Sequence, residues 1–170
     1  MQRIAKFHKV SFEQFKADWA DTFPDTPEEE IIHIYEGIRL PARATSGSAG
    51  YDFFTPVPLT LAPGENMKVP TGIRAEIDAG WVLQIFPRSS LGFKFRLQLN
   101  NTVGIIDSDY FTAKNEGHIF IKMTNSNRQG KTLSIVGGEG FAQGIFLPFG
   151  ITEDDDADGE RTGGFGSTTK

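Results

Sequence analysis

The sequence predicts an all-β domain, a distorted jelly roll or β-barrel, with one short N-terminal helix and a flexible C-terminal arm. Three observations predict it. Apolar residues recur in short runs of period two over most of the chain, and turn residues bound each run. Nineteen glycines and fifteen phenylalanines in 170 residues suit many strands joined by tight turns better than long helices. After Pro148 the apolar pattern stops, so the last stretch has no face to bury.

Taken in order, residues 3–9 read as a short strand. Ser11, Phe12, Glu13 and Gln14 then match a capping box, with Gln14 three residues after the cap. Phe12, Phe15 and Trp19 fall on one helical face, and Pro24 and Pro27 end the helix. From Glu30 the period changes to two, with Ile32 and Ile34 alternating with His33 and Tyr35. Further strands are expected at 59–61, 73–77, 81–86, 97–99, 119–123, 133–136 and 141–147. Pro63-Gly64, Asp78-Ala79-Gly80 and Gly137-Gly138 separate some of them as turns. That many short strands without long intervening helices imply a sandwich, jelly roll or barrel. Three parts follow: a strand–helix extension over 1–37, a β core over 38–152, and an acidic linker with a Gly-rich arm over 153–170. The linker run of Glu153, Asp154, Asp155, Asp156 and Asp158 repels itself and stays solvated.

Composition narrows the function classes. Twenty-two acidic against seventeen basic residues leave a net charge of -5, which argues against non-specific binding to polymeric nucleic acid. A few placed arginines can still hold a small phosphorylated ligand. With no cysteine, neither a disulfide framework nor a thiolate metal site is possible, which fits a cytoplasmic protein. No apolar run approaches the roughly 18–20 residues of a membrane span.

Three segments carry candidate chemistry. In Phe86-Pro87-Arg88-Ser89-Ser90-Leu91-Gly92 a strand runs into a planar cation and two hydroxyls, a set suited to phosphate oxygens. The plainer reading is an arginine closing a local carboxylate pair. Around Asn101 and Gly104 a hairpin is expected, the glycine permitting close backbone approach. Asp107 follows Ile105 and Ile106 and is either a general base or an Asx-turn former. Arg161 and the glycines at 163, 164 and 166 offer charge and backbone N–H groups for an anion, or are only a tail. The three histidines, His8, His33 and His118, are scattered and suggest no metal site.

Together these segments resemble the five ordered motifs of the trimeric dUTPase family, whose fold is a β-clip. The first is Ala49-Gly50-Tyr51-Asp52, preceded by a strand at Leu40-Pro41, and the second is Pro87 through Gly92. Asn101 through Tyr110 make the third, and Gly140-Phe141-Ala142-Gln143 the fourth. Arg161 with Gly163-Gly164-Phe165-Gly166-Ser167-Thr168 makes the fifth. Ser90 stands where many members have glycine.

The resemblance implies hydrolysis of dUTP to dUMP and pyrophosphate. Asp107 would be the base activating a water against the α-phosphorus. Arg88, Ser89, Ser90 and Gln143 would hold phosphate oxygens, with Arg161 at the γ-phosphate. Asn101, Gly104 and Ile106 would belong to the hairpin that reads uracil, and Tyr110 would lie under the deoxyribose. Phe165 would stack on uracil, with Gly166 and Ser167 closing over the phosphates. Asp52 would organise the phosphate side through Arg88 or metal-bound water. The resemblance also implies Mg2+ held by the triphosphate and water, and a homotrimer whose active sites are shared between subunits.

Two other readings share the fold. A dCTP deaminase-like enzyme would need a glutamate in the strand after Asp107, where this chain offers Lys122. A regulatory binding protein switched by nucleotide would commonly carry an insert between the fourth and fifth motifs, and here only the acidic linker fills that interval. Residues 1–37 lie outside the resemblance and receive no function.

Overall fold

Burial follows the sequence period. Leu59 and Leu61 are buried around exposed Thr60, Leu97 and Leu99 around Gln98, and Leu133 and Ile135 around Ser134. The computed structural model describes residues 2–159. Its first elements are β1 (Ala5–Lys9), α1 (Phe12–Thr22), α2 (Glu28–Gly37), β2 (Tyr51–Phe54), β3 (Leu59–Leu61) and β4 (Asn66–Pro70). Then come β5 (Ile73–Ile77), β6 (Trp81–Pro87), α3 (Ser89–Phe95), β7 (Leu97–Leu99) and β8 (Gly104–Ile106). A 3-10 turn (Ser108–Thr112), β9 (Phe120–Asn125), β10 (Leu133–Ile135) and β11 (Gly140–Pro148) complete the order.

All strand pairs are antiparallel. A four-stranded sheet runs β2-β11-β6-β8 and a three-stranded sheet β4-β9-β7, with two-stranded pairs β1-β5 and β3-β10. The four sheets wrap one core without joining into a closed barrel. Phe53, Leu83, Ile85, Ile119, Met123 and Phe141 lie at its centre, each at most 2% exposed. Phe15 and Trp19 of α1 enter the same core, and burying such a ring contributes roughly 2–3 kcal/mol.

Three expectations are corrected. The alternation from Glu30 is a helix, α2, so the N-terminal part carries two helices. Pro27 stands at its N-cap and Glu28, Glu29 and Glu30 fill its first turn, where negative charge is favoured. Ile31, Ile34, Tyr35 and Ile38 recur at helical spacing and pack on the core, while Ile32 points outward. Leu40-Pro41 forms no strand; one isolated bridge joins Ala42 to Asp52. The segment after Arg88, for which no helix was expected, is the short helix α3. Among the described residues no helix is long and apolar enough to cross a membrane.

Candidate active site

The phosphate-type residues converge at one end of the four-stranded sheet. Gln143, central on β11, pairs with Asp52 of β2 on one side and Phe86 of β6 on the other. Two residues after Phe86, Arg88 leaves the sheet and turns back across it. Its Nε lies 3.4 Å from Asp52 Oδ1, and one terminal nitrogen donates to the Gly140 carbonyl at 3.2 Å. The arginine is well exposed, so this pair contributes at most about 1 kcal/mol; its effect is to aim the guanidinium. Two glycines make room: a Cβ at Gly140 would sit 2.9 Å from an Arg88 nitrogen, and one at Gly50 3.0 Å from Gln143 Oε1. Ser89 and Ser90 open α3 beside Arg88 and are exposed. The carboxylate pairing expected of Arg88 is present, and the arginine keeps donors facing solvent.

The second group gathers around β8. The expected hairpin is not formed: β7 pairs with β9 and β8 with β6, so the turn between them passes from one sheet to the other. It holds Asn101, with Thr102 in the left-handed region at φ 67° and its N–H bonded to the Leu99 carbonyl at 3.0 Å. Gly104 pairs with Ile85, and an added Cβ would meet the Ile85 Cβ at 3.1 Å, the close approach expected of this glycine. A small cleft opens here, lined by Leu99, Asn101, Gly104, Ile105, Phe120 and Lys122 among others. β8 ends at Ile106, and Asp107 follows in extended conformation, half-buried, opening the 3-10 turn. Its backbone carbonyl accepts from the Tyr110 N–H at 3.2 Å, which starts that turn. Tyr110 is buried, its hydroxyl donating to the His118 carbonyl at 2.7 Å and accepting from Asn115 Nδ2 at 2.8 Å.

One chain does not bring the two groups together. Ile106 pairs with Leu83 near the start of β6, whereas Arg88 lies just past its other end. At about 3.4 Å per residue, the backbones at Asp107 and Arg88 are roughly 20 Å apart. Arg161, Phe165, Gly166 and Ser167 lie outside the described residues.

Local spacing missed the residues that hold this second group. Glu116 and His118 follow Tyr110 within eight residues, but their partners Ser11 and Asp18 are about a hundred positions earlier. Gly117 has φ +71°, and an added Cβ would sit 2.6 Å from the Tyr110 carbonyl oxygen. Gly117→Ala is therefore expected to cost about 1–3 kcal/mol of stability and to shift the 3-10 turn. A melting temperature within a degree of the unchanged chain would contradict this.

A family model described as dUTPase matches residues 36–169. A deoxyuridine 5'-triphosphate nucleotidohydrolase of Lactococcus lactis is 43% identical over 144 residues, spanning 82% of this chain and 95% of that protein. One from Hahella chejuensis is 40% identical over 139 residues, with 77% and 87% covered. The crystal structure of dUTPase from Streptococcus mutans superimposes with TM-score 0.63 at 34% identity, over 86% of this chain and 98% of that one. A dUTPase of the Staphylococcus aureus phage phi11, at 19–20% identity and TM-score 0.62 to 0.63 over 92% of this chain and 97–98% of that one, shares the fold. With the family model covering nearly all of the chain beyond α1 and most of α2, the chain belongs to the dUTPase family.

Proposed function

We propose that the chain hydrolyses dUTP to dUMP and pyrophosphate, with Asp107 as the base that activates water against the α-phosphorus. The observation that carries this reading is continuity. The turn and strand that help line the cleft run without a break into Asp107. A pyrimidine read by the edges of residues 101–106 places its sugar towards Tyr110 and its α-phosphate towards Asp107. One stretch of ten residues thus supplies base recognition, sugar contact and proton acceptor.

Order along β8 also supports a direction for the nucleotide. Base, sugar and phosphate run from the turn towards Asp107, away from Arg88 of the same chain. The phosphates then meet Arg88, Ser89, Ser90 and Gln143 of another copy, which favours a closed cyclic oligomer, here a homotrimer. Arg161 and Phe165 would complete the site from the C-terminal arm.

Mg2+ fits the donors present. On the phosphate side the acidic group is Asp52, already paired with Arg88, and a lone carboxylate suits contact with metal-bound water better than a protein cage. Bound through the triphosphate, the ion supplies charge neutralisation during hydrolysis. Arg88 adds forked donors to phosphate oxygens, and Gln143 a neutral amide whose place is set by the absence of a Cβ at Gly50.

The test is product release from dUTP, UTP and dCTP. Pyrophosphate from dUTP well ahead of the other two is the expected result. Ammonia from dCTP would identify a deaminase, and tight dUTP binding without turnover a nucleotide-controlled binding protein.

A further inference from the structure

The helix pair α1–α2 almost wholly precedes the region matched by the family model, and it completes no sheet. Lys16 pairs with Glu28 and Asp21 with Lys68, but two polar contacts, from Ser11 at the N-cap and Asp18 in α1, meet on one short stretch, residues 116–118, where the chain leaves Asp107 and Tyr110 for β9. At the start of α1, Ser11 donates to Glu116 twice, through its N–H at 2.7 Å and its hydroxyl at 2.6 Å. Arg74 of β5 stands 3.8 Å from the same carboxylate and donates to the Phe111 carbonyl, its guanidinium 3.6 Å over the Phe111 ring. Burial works to raise the Glu116 carboxyl, but the Ser11 hydrogen bonds and Arg74 outweigh it and hold it below the usual range.

Two turns further along α1, Asp18 Oδ2 lies 2.6 Å from Nδ1 of His118, whose ring is fully buried. The Gly72 N–H donates to His118 Nε2 at 2.8 Å, so that nitrogen carries no proton. The ring proton therefore sits on Nδ1 and is donated to Asp18. Gln14 Nε2 donates to the same Asp18 oxygen at 2.8 Å and steadies it. His118 in turn presents the carbonyl that accepts the Tyr110 hydroxyl.

We infer that α1 is a positioning element of the active site. Asp18 acting through His118, and Ser11 acting through Glu116, fix the segment that carries Asp107 and Tyr110. The inference rests on the roles proposed above for those two residues. Its physical reason is a division of labour within α1. Phe15 and Trp19 already supply apolar burial, whereas a charged partner on a buried imidazole is a weak stabiliser but a strict constraint on orientation. Displacing a reacting group by about 1 Å can cost on the order of 100-fold in rate, so constraint here bears on turnover.

The experiment compares Asp18→Ala with Asp18→Asn. Alanine leaves the buried Nδ1–H without its acceptor, and asparagine offers an oxygen at the same place. For Asp18→Ala we expect kcat on dUTP to fall about 10-fold with KM within about twofold, and the preference for dUTP over UTP to drop about 5-fold. Asp18→Asn should stay within about threefold of the unchanged chain on each measure. Ser11→Ala, at an exposed position, removes one of the two bonds to Glu116 and should lower kcat about twofold to threefold. It reads the same link if Asp18→Ala does not fold. An early-melting Asp18→Ala with unchanged kcat and preference would make α1 a buttress only and overturn the inference, as would an unchanged Ser11→Ala. No turnover of dUTP by the unchanged chain would instead sink the proposed activity.

Discussion

Asp107→Asn is expected to fold, to bind dUTP, and to hydrolyse it at least about 100-fold more slowly. The amide keeps the size and shape of the carboxylate but cannot accept a proton from the attacking water. Fold should survive because Asp107 bonds the 3-10 turn through its backbone carbonyl, which accepts from the Tyr110 N–H at 3.2 Å, and its side chain does not cap that turn. Binding should survive because Asp107 is not among the residues that line the cleft, which come from β6, β7, β8, β9 and the turn before β8. Calorimetry with a nonhydrolysable dUTP analogue and a pyrophosphate assay separate the two quantities. A kcat like that of the unchanged chain would remove Asp107 from the role of base.

Much of this site is visible in the sequence because its pieces are local. Strand edges at 59–61, 73–77 and 97–99 coincide with the observed strands, since each apolar run has its own turn residues. Asp107 and the turn before it lie within seven residues of one another, and their order along β8 is their order in space. What the sequence hides is set by distance along the chain. The stretch from Glu30 alternates by chance over four residues, and only the core contacts of Ile31, Ile34 and Ile38 decide for a helix. His118 reads as one of three scattered histidines, because its partners Asp18 and Gly72 are 100 and 46 positions away. Strand β2 is short and mixed in polarity, and is held by pairing with β11 rather than by its own period.

Mixing two impaired chains is expected to restore activity. Arg88→Ala removes forked, charge-assisted donors worth about 1.5–3 kcal/mol, a loss of roughly 10- to 150-fold in kcat/KM. Asp107→Asn removes the proposed base. If each chain completed its own site, a mixture could do no better than the average of its parents. The roughly 20 Å between these residues along β6 argues otherwise, as does the direction in which a bound nucleotide leaves β8. Asp107 of one copy would then work with Arg88 of its neighbour. In randomly exchanged cyclic oligomers at equal amounts, about a quarter of the sites receive Asp107 from an Arg88→Ala chain and Arg88 from an Asp107→Asn chain. Those sites are unaltered at both positions, so co-refolded chains should recover about a quarter of the unmixed activity. Separate refolding followed by mixing, without subunit exchange, should recover none, which controls for assay effects. Activity no higher than the parents' average after co-refolding, or sedimentation of the unchanged chain as a monomer, would mean that the site is built within one chain.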